Sequence, residues 1–247
     1  MTASRYPVPM TNNSRARAGR RRKLPWYLRP FKWLMWFTIG SVLWVLLYAL
    51  VPPPVTFTML ADGNGITKDW TGLSAIDRNM VRAVIAAEDG KFCSHNGFDA
   101  EAIEEAIERN ATGKRKRGGS TVSQQTAKNV FLWQGSGWTR YVRKVPEVWF
   151  TFLIEKIWGK RRIMEVYLNV AETGIGTYGV EAGAQRYFKH GADKLTAAEA
   201  ARIAAILPLP KKRAAISPSG FTRRYGNTIR ARIGQVRRDA LDACIFN

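Results

Sequence analysis

Residues 33–51 read WLMWFTIGSVLWVLLYALV, 19 positions without a charge. A helix that spans a bilayer needs about 20 such residues. A buried helix of this length in a soluble protein shows a polar face, and this one shows none. Trp33, Trp36 and Tyr48 lie near its ends, where amphipathic rings favour the headgroup layer. Residues 1–32 carry nine Lys or Arg and no Asp or Glu, and Pro52-Pro53-Pro54 closes the apolar run. This asymmetry puts the N-terminus in the cytoplasm and the chain beyond residue 53 outside. The run exceeds the ~7–15 residues of a signal-peptide core, and no small-residue cleavage site follows it. The sequence therefore predicts a basic cytoplasmic tail over 1–32, an uncleaved transmembrane anchor over 33–52 and an outward-facing domain over 53–247.

The formal net charge is +20, and about +11 remains when the tail is set aside. Such an excess implies an anionic partner: nucleic acid, a membrane surface or a phosphorylated substrate. The outward topology removes nucleic acid. The two cysteines, Cys93 and Cys244, make neither a disulfide framework nor a zinc ligand set. They read as two small buried hydrophobes, with pairing open to them outside the cytoplasm. The two histidines, His95 and His190, are too few for a histidine-built metal centre.

The domain reads as mainly α. Residues 81–88 and 100–109 have helical spacing, and Gly118-Gly119 marks a turn before a third helix. Over residues 147–170, Val148, Phe152, Ile157, Ile163 and Leu168 recur at helical intervals. Thr196 and Glu199 form a capping box for a last helix over 197–207, stopped by Pro208 and Pro210. Residues 114–117, flanked by glycines, read as a mobile basic loop. Val55, Phe57, Met59 and Leu60 fit a membrane-resting edge and a core segment equally well.

Four stretches carry candidate chemistry. Residues 88–99, EDGKFCSHNGFD, follow an apolar helix. A carboxylate at such a helix end is partly desolvated, which raises its pKa and makes it a better proton acceptor; a solvated Glu-Asp pair is the plain alternative. Residues 118–129, GGSTVSQQTAKN, open a helix whose free N–H groups attract phosphate. Lys128 lies two turns on, near the face of Gln124 and Gln125, although a capped helix with a polar surface has the same pattern. Arg143-Lys144-Val145-Pro146-Glu147 sets two cations beside a carboxylate. That suits a diphosphate clamp, or a salt-bridged helix face, since Arg143 and Glu147 stand i, i+4. Tyr167-Leu168-Asn169 and the glycine-dense GIGTYGVE at 174–181 fit a tight segment beside a ligand, or a structural loop.

In this order the four stretches resemble the glycosyltransferase family 51 domain of peptidoglycan polymerases. That domain carries E-D-x-x-F-x-x-H-x-G-x-D, G-G-S-T-x-x-Q-Q-x-x-K-N, R-K-x-x-E, and Y-L-N followed by glycines. YLNVAE at 167–172 is similar to the monofunctional biosynthetic transglycosylases, and no transpeptidase Ser-x-x-Lys occurs in the chain. The resemblance implies a lysozyme-like helical domain behind a single N-terminal transmembrane helix. It implies Glu88 as general base and Glu147 as a second glutamate near the donor phosphates. Lys128, Arg143 and Lys144 match donor-side cations; Ser120, Gln124 and Gln125 match polar positions lining the cleft. Asp89, Phe92, His95 and Asn129 match supporting positions. Pro146 departs from the pattern and predicts a helix start or kink beside Glu147.

The implied reaction transfers a growing lipid-diphosphate-linked strand to the 4-hydroxyl of lipid II. It inverts the anomeric carbon, forms β-1,4 links and releases polyprenyl diphosphate. The hydroxyl needs a base, and the departing diphosphate needs cations rather than a proton. A divalent ion such as Mg2+ or Mn2+ could share the phosphate charge, although the sequence shows no metal cage and implies no organic cofactor. The implied partners are lipid II, the nascent strand, the bilayer of the inner membrane, and other cell-wall synthesis or division proteins. One rival is a lytic transglycosylase or hydrolase, which must protonate an alkoxide and needs no cation cluster. Another is a non-catalytic anchored scaffold, for which Glu88 is dispensable.

Overall fold

The computed structural model describes residues 25–112, 118–135 and 137–246. The basic loop expected at 114–117 and most of the tail lie outside them. The first long helix, α1 (Arg29–Leu50), belongs to a stretch from Trp26 to Leu50 that is long and apolar enough to cross a membrane. The chain divides into two compact units, one ending at Ile39 and the other running from Gly40 onward. In the first, Trp26, Phe31, Trp33 and Trp36 are exposed.

The second unit takes in the last turns of α1. Val45 and Ser41 are buried. The Trp44 ring meets Phe131 edge-on at 5.2 Å, and Trp158 Nε1 donates to the Val45 carbonyl at 2.8 Å. The last carbonyls of a helix lack partners in their own ladder. Here the Arg162 guanidinium supplies them, donating to the carbonyls of Tyr48 at 3.0 Å and Val51 at 3.1 Å. Part of the apolar run thus packs on protein.

The core gathers around α3 (Arg78–Glu88). The Asp77 carboxylate caps it by accepting from Asn79 N at 2.7 Å, and Met80, Val81, Val84 and Ile85 form its buried stripe. The predicted capping box of Thr196 and Glu199 opens α9 (Ala197–Ile206). That helix buries Ala200, Ala201, Ala204 and Ala205, whose small side chains let neighbouring helices approach closely. Helices do not stop there, as the sequence reading expected. A further long helix, α10 (Gly220–Arg238), packs on α9 and α3 through Gly226, Ile229, Ile233 and Val236. Its exposed side carries arginines, including Arg223, Arg230 and Arg237, which mask the apolar spacing. A short α11 (Ala243–Phe246) follows, and Cys244 within it is disulfide-bonded to Cys93. The reading of both cysteines as free buried hydrophobes is therefore corrected: Cys93 is half-buried, Cys244 is exposed, and they pair.

The remaining helices are α2 (Phe57–Leu60), α4 (Ala100–Ala111), α5 (Val122–Phe131), α6 (Thr139–Ile157), α7 (Gly159–Val170) and α8 (Val180–Phe188). The stretch read as one helix over 147–170 is two, broken at Gly159, whose φ of 70° suits glycine. Pro146 neither starts nor ends α6, which begins at Thr139 and runs on to Ile157. Val142, Val145, Val148 and Phe152 form an exposed apolar stripe along α6 instead of joining the core. In α2, Met59 is buried in the core while Phe57 and Leu60 face outward. The glycine-dense stretch forms a small sheet: β1 (Thr67–Lys68) is parallel to β3 (Thr177–Tyr178), and β3 is antiparallel to β2 (Glu172–Gly174).

Candidate active site

Glu88 ends α3. The carbonyl of Ala87 accepts from the Tyr225 hydroxyl of α10 at 2.9 Å, which fixes the helix end. Gln125 Nε2 donates to Glu88 Oε2 at 2.9 Å, and Gln125 is steadied in turn by the Tyr167 hydroxyl, which donates to its Oε1 at 3.3 Å. Glu88 Oε1 is buried and makes no hydrogen bond. Burial is the strongest influence on this carboxyl and pushes its pKa up; Gln125, Arg213 and Lys128 oppose it, and Asp89 adds to it. A desolvated carboxylate with one free oxygen is an acceptor in need of a proton.

The residues after Glu88 build its support. Asp89 accepts from Val122 N at 2.9 Å, pinning the start of α5 to the end of α3. His95 Nδ1 accepts from Gly97 N at 3.1 Å, so it carries no proton. The proton is therefore on Nε2, which donates to Asp89 at 2.9 Å. Phe92 is fully buried, with the Lys160 ammonium 4.7 Å from its ring centroid. Gly97 has φ of 90°, and a Cβ there would come within 2.9 Å of Thr151 Cγ2. The motif's glycine is thus demanded by both backbone and packing.

The start of α5 differs from the sequence expectation of a phosphate cradle. Thr121 and Gln124 form a capping box, and Asp89 takes the N–H of Val122. Gln124 is buried and spends its side-chain oxygen on Thr121 N at 3.1 Å, rather than turning to the cleft. Ser120 is exposed, and its carbonyl accepts weakly from Gln125 at 3.5 Å.

The cations converge around Lys128, about two turns along α5. Lys128 and Asn129 line a cleft of about 410 Å3 together with Gln125 and Tyr167. Burial lowers the Lys128 pKa most, and the nearby charges of Arg143 and Lys144 lower it further, while Glu147 and Glu88 oppose them. Lys128 is thus the point where the field of Glu88 meets that of the third motif. Arg143 is buried and donates to the carbonyls of Trp133 at 3.1 Å and Gln134 at 2.7 Å. Glu147, also buried, lies 2.6 Å from Lys144 Nζ and 3.5 Å from Arg143. Pro146 leaves this constellation intact. The Asn169 amide of the fourth motif clips Thr71, with a bond in each direction at 2.8 Å, and so works as a brace.

Sequence reasoning passed over Arg213, Tyr225, Asp62, Glu172 and Lys211. Arg213 stacks on Phe221 at 5.2 Å and contributes to the field at Glu88. Asp62, Glu172 and Lys211 also line the cleft. Asp62, Arg213, Lys211 and Tyr225 lie far along the chain from the four motifs, and Glu172 sits inside the fourth between its Tyr-Leu-Asn and its glycines, so only folding reveals the proximity.

The transglycosylase family profile matches residues 56–233. A biosynthetic peptidoglycan transglycosylase of Caulobacter vibrioides is 52% identical over 209 residues, covering 83% of this chain and 90% of that protein. One from Rhodospirillum centenum is 48% identical, covering 81% and 87% respectively. One from a Jannaschia species is 43% identical over 250 residues, covering 99% of this chain and 100% of its own. With the matched span holding all four motifs and the cleft between them, the chain belongs to the transglycosylase family.

Proposed function

We propose that this chain is a peptidoglycan glycosyltransferase that polymerises lipid II, with Glu88 as its base. The growing lipid-diphosphate-linked strand is transferred to the 4-hydroxyl of lipid II with inversion. The observation that carries this reading is the pairing of a buried, unsatisfied oxygen on Glu88 with the cation cluster of Lys128, Arg143 and Lys144. The hydroxyl gives its proton to Glu88 as it attacks the anomeric carbon from the face opposite the diphosphate. The cations stabilise the charge that collects on the departing diphosphate. Glu147 holds Lys144 and Arg143 in place through ion pairs at 2.6 and 3.5 Å.

A raised carboxyl pKa alone also suits a lytic enzyme, which protonates an alkoxide. Lys128 in the cleft lining, within the field of Arg143 and Lys144, suits a diphosphate leaving group and serves no purpose for an alkoxide. A divalent ion such as Mg2+ or Mn2+ would have to arrive on the diphosphate. Among the described residues no group of three His, Cys, Asp or Glu forms a metal cage, and Glu147 and Asp62 are already ion-paired. The described residues do not fit a resident metal.

The membrane fits the same chemistry. An anchored enzyme and a lipid-borne substrate share a thin layer, which raises their effective concentration. The exposed stripe on α6 suits contact with that layer. The basic tail sets the N-terminus in the cytoplasm and the cleft on the outer face of the inner membrane. The disulfide supports that side, since such bonds persist in oxidising compartments.

The deciding experiment adds purified lipid II to the full-length protein in detergent. The wild type makes glycan polymer, and Glu88→Gln loses about 10²–10⁴-fold in rate. Turnover of the variant close to wild type overturns the assignment of the base, and cleavage of finished sacculi by the wild type overturns synthesis.

A further inference from the structure

Among the described residues, four buried side-chain polar atoms lack a hydrogen-bond partner: Glu88 Oε1, Arg143 Nε, Glu147 Oε2 and Glu172 Oε1. Buried polar atoms in native proteins are nearly always satisfied, so each exception asks for a reason. Three of these belong to the base and the cation cluster. The fourth has no part in the chemistry derived above.

Glu172 opens β2 directly after α7 and lines the same cleft as Gln125 and Lys128. Its side chain is 17% exposed, and the nearest cation, Lys211 Nζ, stands 3.6 Å from Oε1. That is beyond hydrogen-bond distance. The ammonium is instead bound to Asp62 Oδ2 at 2.9 Å, an oxygen that also accepts from the Tyr178 hydroxyl at 2.8 Å. Lys211 therefore forms an ion pair with Glu172 yet leaves its Oε1 without a hydrogen bond, and its half-exposed, flexible stem can yield to a ligand. An ionised carboxylate only accepts hydrogen bonds. It repels a diphosphate and suits a neutral donor such as a sugar hydroxyl or an acetamido N–H.

We propose that Glu172 is a substrate-binding residue, accepting a hydrogen bond from a hydroxyl or acetamido N–H of the saccharide in the cleft. The assignment rests on the reading of that cleft as the glycan site. It divides the cleft by chemistry: the end at Lys128 takes the diphosphate, and the end at Glu172 and Asp62 takes sugar.

The test measures polymerisation by the full-length protein over a range of lipid II concentrations. Glu172→Ala raises KM about tenfold, the worth of one charge-assisted hydrogen bond, with kcat within about twofold. Glu172→Gln keeps an oxygen at the same place and recovers most of the loss. Glu172→Met keeps the volume and removes both oxygens, so it repeats the alanine defect in a folded protein. An unchanged KM in Glu172→Met overturns the proposal, and so does a Glu172→Gln variant as impaired as Glu172→Ala, which would make Glu172 only a counter-ion of Lys211. If the wild type polymerises and Glu88→Gln does not, an unchanged KM removes Glu172 alone; if the wild type makes no polymer, both readings fall together.

Discussion

Two glutamates whose charges act on Lys128 share a side chain and differ in surroundings. Glu147 has its charge balanced by Arg143 and Lys144, whereas Glu88 has no ion-pair partner among the described residues. Burial raises the folded-state pKa of Glu88 above its ordinary 4.5, so the folded protein binds that proton more tightly than the unfolded chain does. The stabilisation from that proton is present below the ordinary value and is lost as pH rises through the raised one. At pH 7 the ionised base therefore costs stability. Glu88→Gln is expected to unfold at a higher temperature than wild type at pH 7, with the gap closing near pH 4. Thermal unfolding in detergent at both values checks this, and equal melting at pH 7 counts against a desolvated base.

At the scale of elements, the end of α1 is part of the folded unit. Trp158 and Arg162 lose their carbonyl partners if it is removed. A chain starting at Gly40 is expected to melt in detergent close to the full-length protein, while one starting at Val55 melts several degrees lower; calorimetry compares them. The elements were unevenly legible in the sequence. The stripe of α3 and the capping box of α9 depend on neighbours within a turn, so spacing revealed both. α10 stayed hidden because its arginines drown the four-residue stripe of Gly226, Ile229, Ile233 and Val236. Glu88, Lys128 and Arg143 were readable as motif residues. Gln124 was assigned to the cleft because spacing cannot tell a capping side chain from one facing a ligand. Glu172 and Lys211 meet only because a sheet and a proline-bounded loop fold over one cleft, which no local pattern records.

At the scale of the molecule, the disulfide joins positions 151 residues apart and ties α11 to the segment that follows the base. Closing so long a ring takes much conformational freedom from the unfolded chain. Replacing both cysteines by alanine is expected to cost about 2–5 kcal/mol, read as a lower unfolding temperature that reductant reproduces in the wild type. The geography of that bond also orders events in time. The staple cannot close until synthesis has passed position 244 and both thiols have met an oxidant. Until then Glu88 lies on an unfastened segment, and the stapled form of the molecule exists only where its thiols have met an oxidant.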